Sequence, residues 1–219
     1  MTIGENVEKL LRELPEGVLL VAAVKGRQIE DIIEAVESGV TIIGENYLQE
    51  TINLYEVLGK RVKWHFIGHL QTNKAKKAVR FFDMIETVDS TELAQEISRR
   101  STEMRKKMPV LIEINSAREP QKHGVFPEDS ERLIRNIASL PGIIVTGLMT
   151  MGPDSGDSKE LRSYLSETRQ VFEHIKQLNI PGVEIKYLSM GMSSSYKIAL
   201  EEGANIVRIG NKIFSNVGI

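Results

Sequence analysis

The stretch Val-Leu-Leu-Val-Ala-Ala-Val-Lys at residues 18–25 decides the reading of this chain. Seven apolar residues, rich in valine and leucine, make a short strand buried on both faces, the kind found in parallel sheets. The run ends in Lys25, and Gly26 and a helical pattern from about residue 28 follow. By itself, a lysine at such a place reads as a side chain reaching out to water from a strand end.

Working outward, the same unit recurs. Short apolar runs at 18–25, 41–46, 63–68, 84–89, 110–115, 143–149, 184–190 and 205–210 alternate with helical patterns at 28–38, 47–58, 73–81, 91–107, 127–139, 159–177 and 193–202. Residues 1–14 form a further amphipathic helix, with Ile3, Val7, Leu10, Leu11 and Leu14 on one face. Eight strands with helices between them, and one helix ahead of the first, predict a single-domain (β/α)8 TIM-type barrel over residues 1–219, its outer ring completed by the N-terminal helix. An open doubly wound sheet would give a similar alternation with fewer strands. The loop-like segment 153–157 is expected to be a mobile flap.

Composition narrows the function. The chain has 28 basic and 30 acidic residues, a balance that points to neither nucleic acid nor an anionic membrane. It has no cysteine, which excludes disulfides, thiolate nucleophiles and cysteine-bound zinc. No run approaches the roughly 20 apolar residues of a membrane span, and a cytoplasmic protein is expected.

Barrel chemistry gathers at the C-terminal ends of the strands. There the sequence places Lys25, the Gly44-Glu45-Asn46 turn, His65, His69, Asn115, Met149, the run Ser189-Met190-Gly191-Met192-Ser193-Ser194-Ser195, and Arg208 just ahead of Gly210. The serine-rich loop suits a phosphate, since glycine allows close backbone approach and serine hydroxyls join the amides of the next helix; an ordinary helix cap reads equally well. Arg208, inside an apolar strand, needs an acceptor: either a bound ligand or a carboxylate such as Glu45 or Glu113. His65 and His69 lack the helical H-E-x-x-H frame, so no metal site is read there.

These residues together resemble the pyridoxal phosphate homeostasis protein family. The blocks that carry the resemblance run nearly the whole chain: Lys25; Gly44-Glu45-Asn46-Tyr47; Trp64-His65-Phe66-Ile67-Gly68 with Leu70-Gln71; Lys122 with Gly124-Val125; Gly147-Leu148-Met149-Thr150; Ser189-Met190-Gly191-Met192-Ser193; and Val207-Arg208-Ile209-Gly210. The resemblance implies a barrel like the N-terminal domain of alanine racemase that binds pyridoxal 5'-phosphate as a Schiff base on Lys25. It also implies phosphate contacts from Ser189, Ser193 and Gly210 with amides around Met192, Arg208 at the pyridine nitrogen, and Asn46 and His65 beside the ring. The implied role is to hold, buffer or deliver the cofactor, with PLP-dependent apoenzymes as recipients and a monomer or weak homodimer as the state in solution. An arginine at the pyridine nitrogen discourages its protonation and so weakens the ring as an electron sink. A binder is therefore expected over an enzyme, a weak racemase-like PLP enzyme being the alternative and a phosphate-ester enzyme without PLP a third.

Overall fold

In the computed structural model, which describes residues 1–152 and 157–215, eight parallel strands close into a barrel in sequence order. They are β1 (Leu19–Ala23), β2 (Ile42–Glu45), β3 (Lys63–Phe66), β4 (Met84–Val88), β5 (Met108–Glu113), β6 (Ile143–Met149), β7 (Val183–Ser189) and β8 (Ile206–Ile209). The ring closes where β1 pairs β8, with Val21 opposite Arg208. It is thinnest at the neighbouring seam, where β7 and β8 share the single register pair Ser189 and Ile206.

Helices α1 (Ile3–Glu13), α2 (Ile29–Glu37), α3 (Leu48–Leu58), α4 (Ala75–Phe81), α5 (Thr91–Glu103), α6 (Ser130–Ile137), α7 (Ser158–Gln177), α8 (Tyr196–Glu201) and α9 (Asn211–Phe214) surround the strands. All eight predicted strands and eight predicted helices are present. The short α9 is an addition, and α5 stops at Glu103 because the chain turns through Arg105 in a left-handed conformation. The expected flap at 153–157 lies, but for Asp157, outside the described residues.

α1 starts at a capping box: the Thr2 hydroxyl accepts from the Glu5 amide, and the Glu5 carboxylate accepts from the Thr2 amide. Its buried Ile3, Val7 and Leu10 join the apolar shell between helices and sheet, and Asn6 donates to the Ile213 carbonyl at 3.0 Å, tying α1 to α9. α1 thus fills the expected place in the outer ring. Strand alternation builds two cores. Ile43, Trp64, Phe66, Ile85 and Ile112 face the helices, whereas Val21, Ile42, Met84, Leu111, Met149 and Ile206 form a separate cluster inside the barrel. Above that inner layer, the same alternation brings His65, Glu86, Glu113, Ser189 and Arg208 to the mouth.

Candidate functional site

The densest polar cluster is a chain of hydrogen bonds across the mouth. Arg208, 3% exposed, donates to the Ser189 hydroxyl at 2.6 Å and to the Thr150 carbonyl at 2.7 Å. The Ser189 hydroxyl donates in turn to Glu86 Oε2 at 2.7 Å, and His65 Nδ1 lies 2.6 Å from Glu86 Oε1. An ionised carboxylate can only accept, so His65 presents Nδ1–H to it. Burial would raise the Glu86 carboxyl, but the His65 hydrogen bond, the neighbouring positive charge and the Ser189 hydrogen bond together hold it below its ordinary range. Burial lowers the Arg208 guanidinium, opposed by the charges of Glu86 and Glu113.

Glu86 is therefore the foremost buried counter-charge of Arg208; of the two carboxylates that the sequence offers beside a bound ligand, Glu113 acts on the guanidinium through its charge, and Glu45 makes no hydrogen bond or ion pair with it among the described residues. It went unread in the sequence, although Met84 and Glu86 stand two apart in an apolar strand and so share the barrel-facing side. Ser189 also differs from its expected phosphate role: its hydroxyl is fully buried and engaged on both sides by Arg208 and Glu86.

Lys25 stands two residues past β1 and is exposed, with its ammonium 5.2 Å from the centre of the Tyr47 ring. The strand leading to it is buried, as expected, but the amine itself is at the rim. Its neighbours follow from the ladders. On one side the Val24 amide donates to the Gly44 carbonyl, which brings the Glu45–Asn46 turn alongside. On the other, Gly210 packs so closely that a Cβ there would come within 2.9 Å of the Ala23 carbonyl oxygen. Asn46 is half-buried beside Gly68, where an added Cβ would meet the Asn46 carbonyl at 2.4 Å.

The loops after β7 and β8 are joined. Ser193 Oγ accepts from the Lys212 amide at 3.2 Å, which leaves its own proton for a ligand. Met192 is half-buried, and its amide donates to Ser195 Oγ at 2.9 Å. That amide is thus committed to the loop instead of to an anion. Gly191, at φ +93°, permits the turn; a Cβ there would lie 2.6 Å from that of Ala199.

A cavity of about 440 Å³ opens beside this cluster, lined by Asn46 and Met192 and also by Glu113, Asn115, Lys122 and Thr150. Glu113 is buried, and its Oε2 makes no hydrogen bond among the described residues. Burial, with help from the Asp89 charge, pushes its carboxyl up to about 7. Glu45, 1% exposed, is pushed up by burial and by Glu50 to about 8. Of the eight residues singled out in the sequence, the structure gathers His65, Ser189 and Arg208 into one network. It sets Asn46 and Met192 on the cavity and leaves Lys25, Ser193 and Gly210 on the adjoining loops. No helix of the described residues is long and apolar enough to cross a membrane.

Residues 2–215 match the family model described as alanine racemase, N-terminal domain. The chain is similar to the pyridoxal phosphate homeostasis protein of Aquifex aeolicus, 37% identical over 96% of this chain and 88% of that protein. It is 33% identical to the protein of that name from Pasteurella multocida, over 98% and 97%, and 35% identical to that of Homo sapiens, over 97% and 83%. Among solved structures it is similar to PipY of Synechococcus elongatus PCC7942 with pyridoxal phosphate bound, at a TM-score of 0.90 and 31% identity, covering 98% of this chain and 100% of that one. Likeness to alanine racemase of Clostridium difficile 630, at a TM-score of 0.84 and 16% identity, concerns the fold alone; it covers all of this chain and 57% of that one.

Proposed function

The chain belongs to the pyridoxal phosphate homeostasis protein family, and from that premise we propose that it binds pyridoxal 5'-phosphate at the barrel mouth and serves to hold and deliver it. The observation that carries the reading is the placement of Lys25 between the ends of β2 and β8, two residues past Ala23, on which Gly210 packs, and four strand positions past the level of Arg208. Bound there, the cofactor supplies a reactive aldehyde. Lys25 Nζ condenses with it to a Schiff base and releases water.

The chain's own groups fit the rest of that molecule. Ser193 offers a hydroxyl proton to the phosphate from the loop after β7, joined to the loop after β8, the usual barrel phosphate site. Close packing of Gly210 on Ala23 lets backbone approach where a side chain would intrude. Arg208, fixed by Ser189 and Thr150, directs its charge at the ring end, with His65 and Asn46 around it. Ser189 serves this site by holding Arg208.

Holding is favoured over turnover because Lys25 is exposed, so water reaches the linkage and exchange is open. Recipients of the cofactor are PLP-dependent apoenzymes, the setting is cytoplasmic, the state is a monomer or weak homodimer, and residues 1–219 act as one cofactor-binding domain. The test is borohydride reduction of the protein loaded with pyridoxal phosphate, followed by peptide mass mapping. A pyridoxyl group on the Lys25 peptide, lost in Lys25→Ala, is the expected result. Labelling elsewhere with Lys25 unmodified defeats the assignment. Substantial turnover of amino acids abolished by Lys25→Ala would favour the weak-enzyme reading instead.

A further inference from the structure

Three loops at the barrel mouth bring together a set of side chains that the proposed cofactor site does not use. His69 follows β3, Asp89 follows β4, and His123 lies in the loop after β5. One ligand-type atom from each falls within 4.8 Å of the others, and the two imidazole rings stack with centroids 3.5 Å apart and planes 9° from parallel. His69 Nδ1 is 4.0 Å from Asp89 Oδ2. We propose that His69, Asp89 and His123 form a binding site for a divalent transition-metal ion.

The donor set favours such an ion. Two imidazoles and one carboxylate suit zinc or cobalt, and the carboxylate offsets part of the charge. Ligand atoms around tetrahedral zinc stand about 3.4 Å apart, given Zn–N bonds of about 2.0–2.1 Å, so the side chains need to close by only about an ångström. The rings must also turn out of their stack, because each nitrogen lone pair lies in its ring plane. Both side chains are exposed and make no hydrogen bond among the described residues, so that rotation costs the ring stack but breaks no hydrogen bond.

The backbone beneath them is fixed. Thr87 Oγ1 donates to the Gly68 carbonyl at 2.7 Å, binding the residue before His69 to the strand that leads to Asp89. The loop holding His123 is folded over Asn115, whose side-chain amide donates to the Glu119 carbonyl at 2.8 Å and whose oxygen accepts from the Glu119 amide at 3.1 Å. Gly124, at φ +104°, follows His123 where a Cβ would press within 2.8 Å of the Asn115 nitrogen. Three protein ligands leave one position open for water or a small ligand. His69 and His123 both line the 440 Å³ cavity, so that position faces it. The buried, unpartnered Oε2 of Glu113 belongs to the same cavity and gives a metal-bound water an acceptor.

The test is titration of the purified full chain with Zn²⁺ by calorimetry, paired with Co²⁺ and its visible absorption. One ion per chain and a four- or five-coordinate cobalt spectrum are expected. His69→Ala and His123→Ala should each weaken binding at least about tenfold, since loss even of an outer-shell partner costs that much. His174→Ala, which alters the exposed His174–Glu131 pair elsewhere, should leave binding unchanged. Circular dichroism and thermal melting establish that each variant is folded. Absence of saturable one-to-one binding, or binding undiminished in both His69→Ala and His123→Ala, overturns the proposal. The same titration on Lys25→Ala separates it from the cofactor reading, because the metal site stands whether or not Lys25 reacts.

Discussion

At the scale of single residues, Glu86 matters most to the site. A carboxylate with no exposed surface persists inside a barrel only where its lone pairs are used, and His65 and Ser189 use them while Arg208 balances the charge. Removing that charge leaves Arg208 buried and uncompensated. Glu86→Gln is therefore expected to cost on the order of 3 kcal/mol in chemical denaturation, and the double variant Glu86→Gln with Arg208→Met should recover part of the loss. If the double variant is no more stable than the single one, the pairing is not what holds these residues. The sequence made Arg208 conspicuous because a guanidinium in an apolar strand demands an acceptor. It hid Glu86, since this counter-charge lies 122 positions away, reaches Arg208 only through Ser189, and barely interrupts the apolar alternation of its strand. His123 was hidden for a similar reason: no local spacing links it to His69, and only the folding of the loop over Asn115 does.

At the scale of elements, the seam between β7 and β8 depends on a side chain. Asn205 Oδ1 accepts from the Leu188 amide at 2.8 Å and its Nδ2 donates to the Lys186 carbonyl at 2.7 Å, beside only one register pair between the strands. Asn205→Ala should lower stability by about 1–3 kcal/mol, the loss of these bonds leaving strand groups unmatched. Its signature is faster amide exchange confined to β7 and β8. A stability loss spread evenly over the barrel would contradict it. Gly147 marks the neighbouring seam, where β6 shifts register and a Cβ would fall 1.8 Å from the Tyr187 carbonyl oxygen. Gly147→Ala is expected to cost about 1–3 kcal/mol or more in thermal melting, because backbone must move. Strand and helix existence was legible because period and β-branched content recur eight times. Ends were less so, as with α5, where a left-handed residue ends the helix without glycine to announce it.

At the scale of the whole molecule, two carboxyl groups among the described residues bind their protons more tightly in the fold than in the unfolded chain. Glu45 at about 8 and Glu113 at about 7 stay neutral in the barrel at pH values where the unfolded chain has ionised them. A raised folded-state value gives stability that is complete below the ordinary carboxylate range and is lost as pH climbs towards 7 and 8. Glu45→Gln should flatten that decline and stabilise the protein at pH 9 by roughly 2 kcal/mol, read by urea denaturation across pH. An unchanged slope would exclude Glu45 as its source. The ring itself carries a further consequence. Arg208 sits on β8 and Ser189 on β7, so their 2.6 Å bond is a rivet across the stave joint that has a single register pair. Whatever draws the guanidinium toward a guest also loads or relaxes that joint. Occupancy of the mouth is therefore expected to change amide exchange along β7 and β8, a gauge readable from two strands without any signal from the guest.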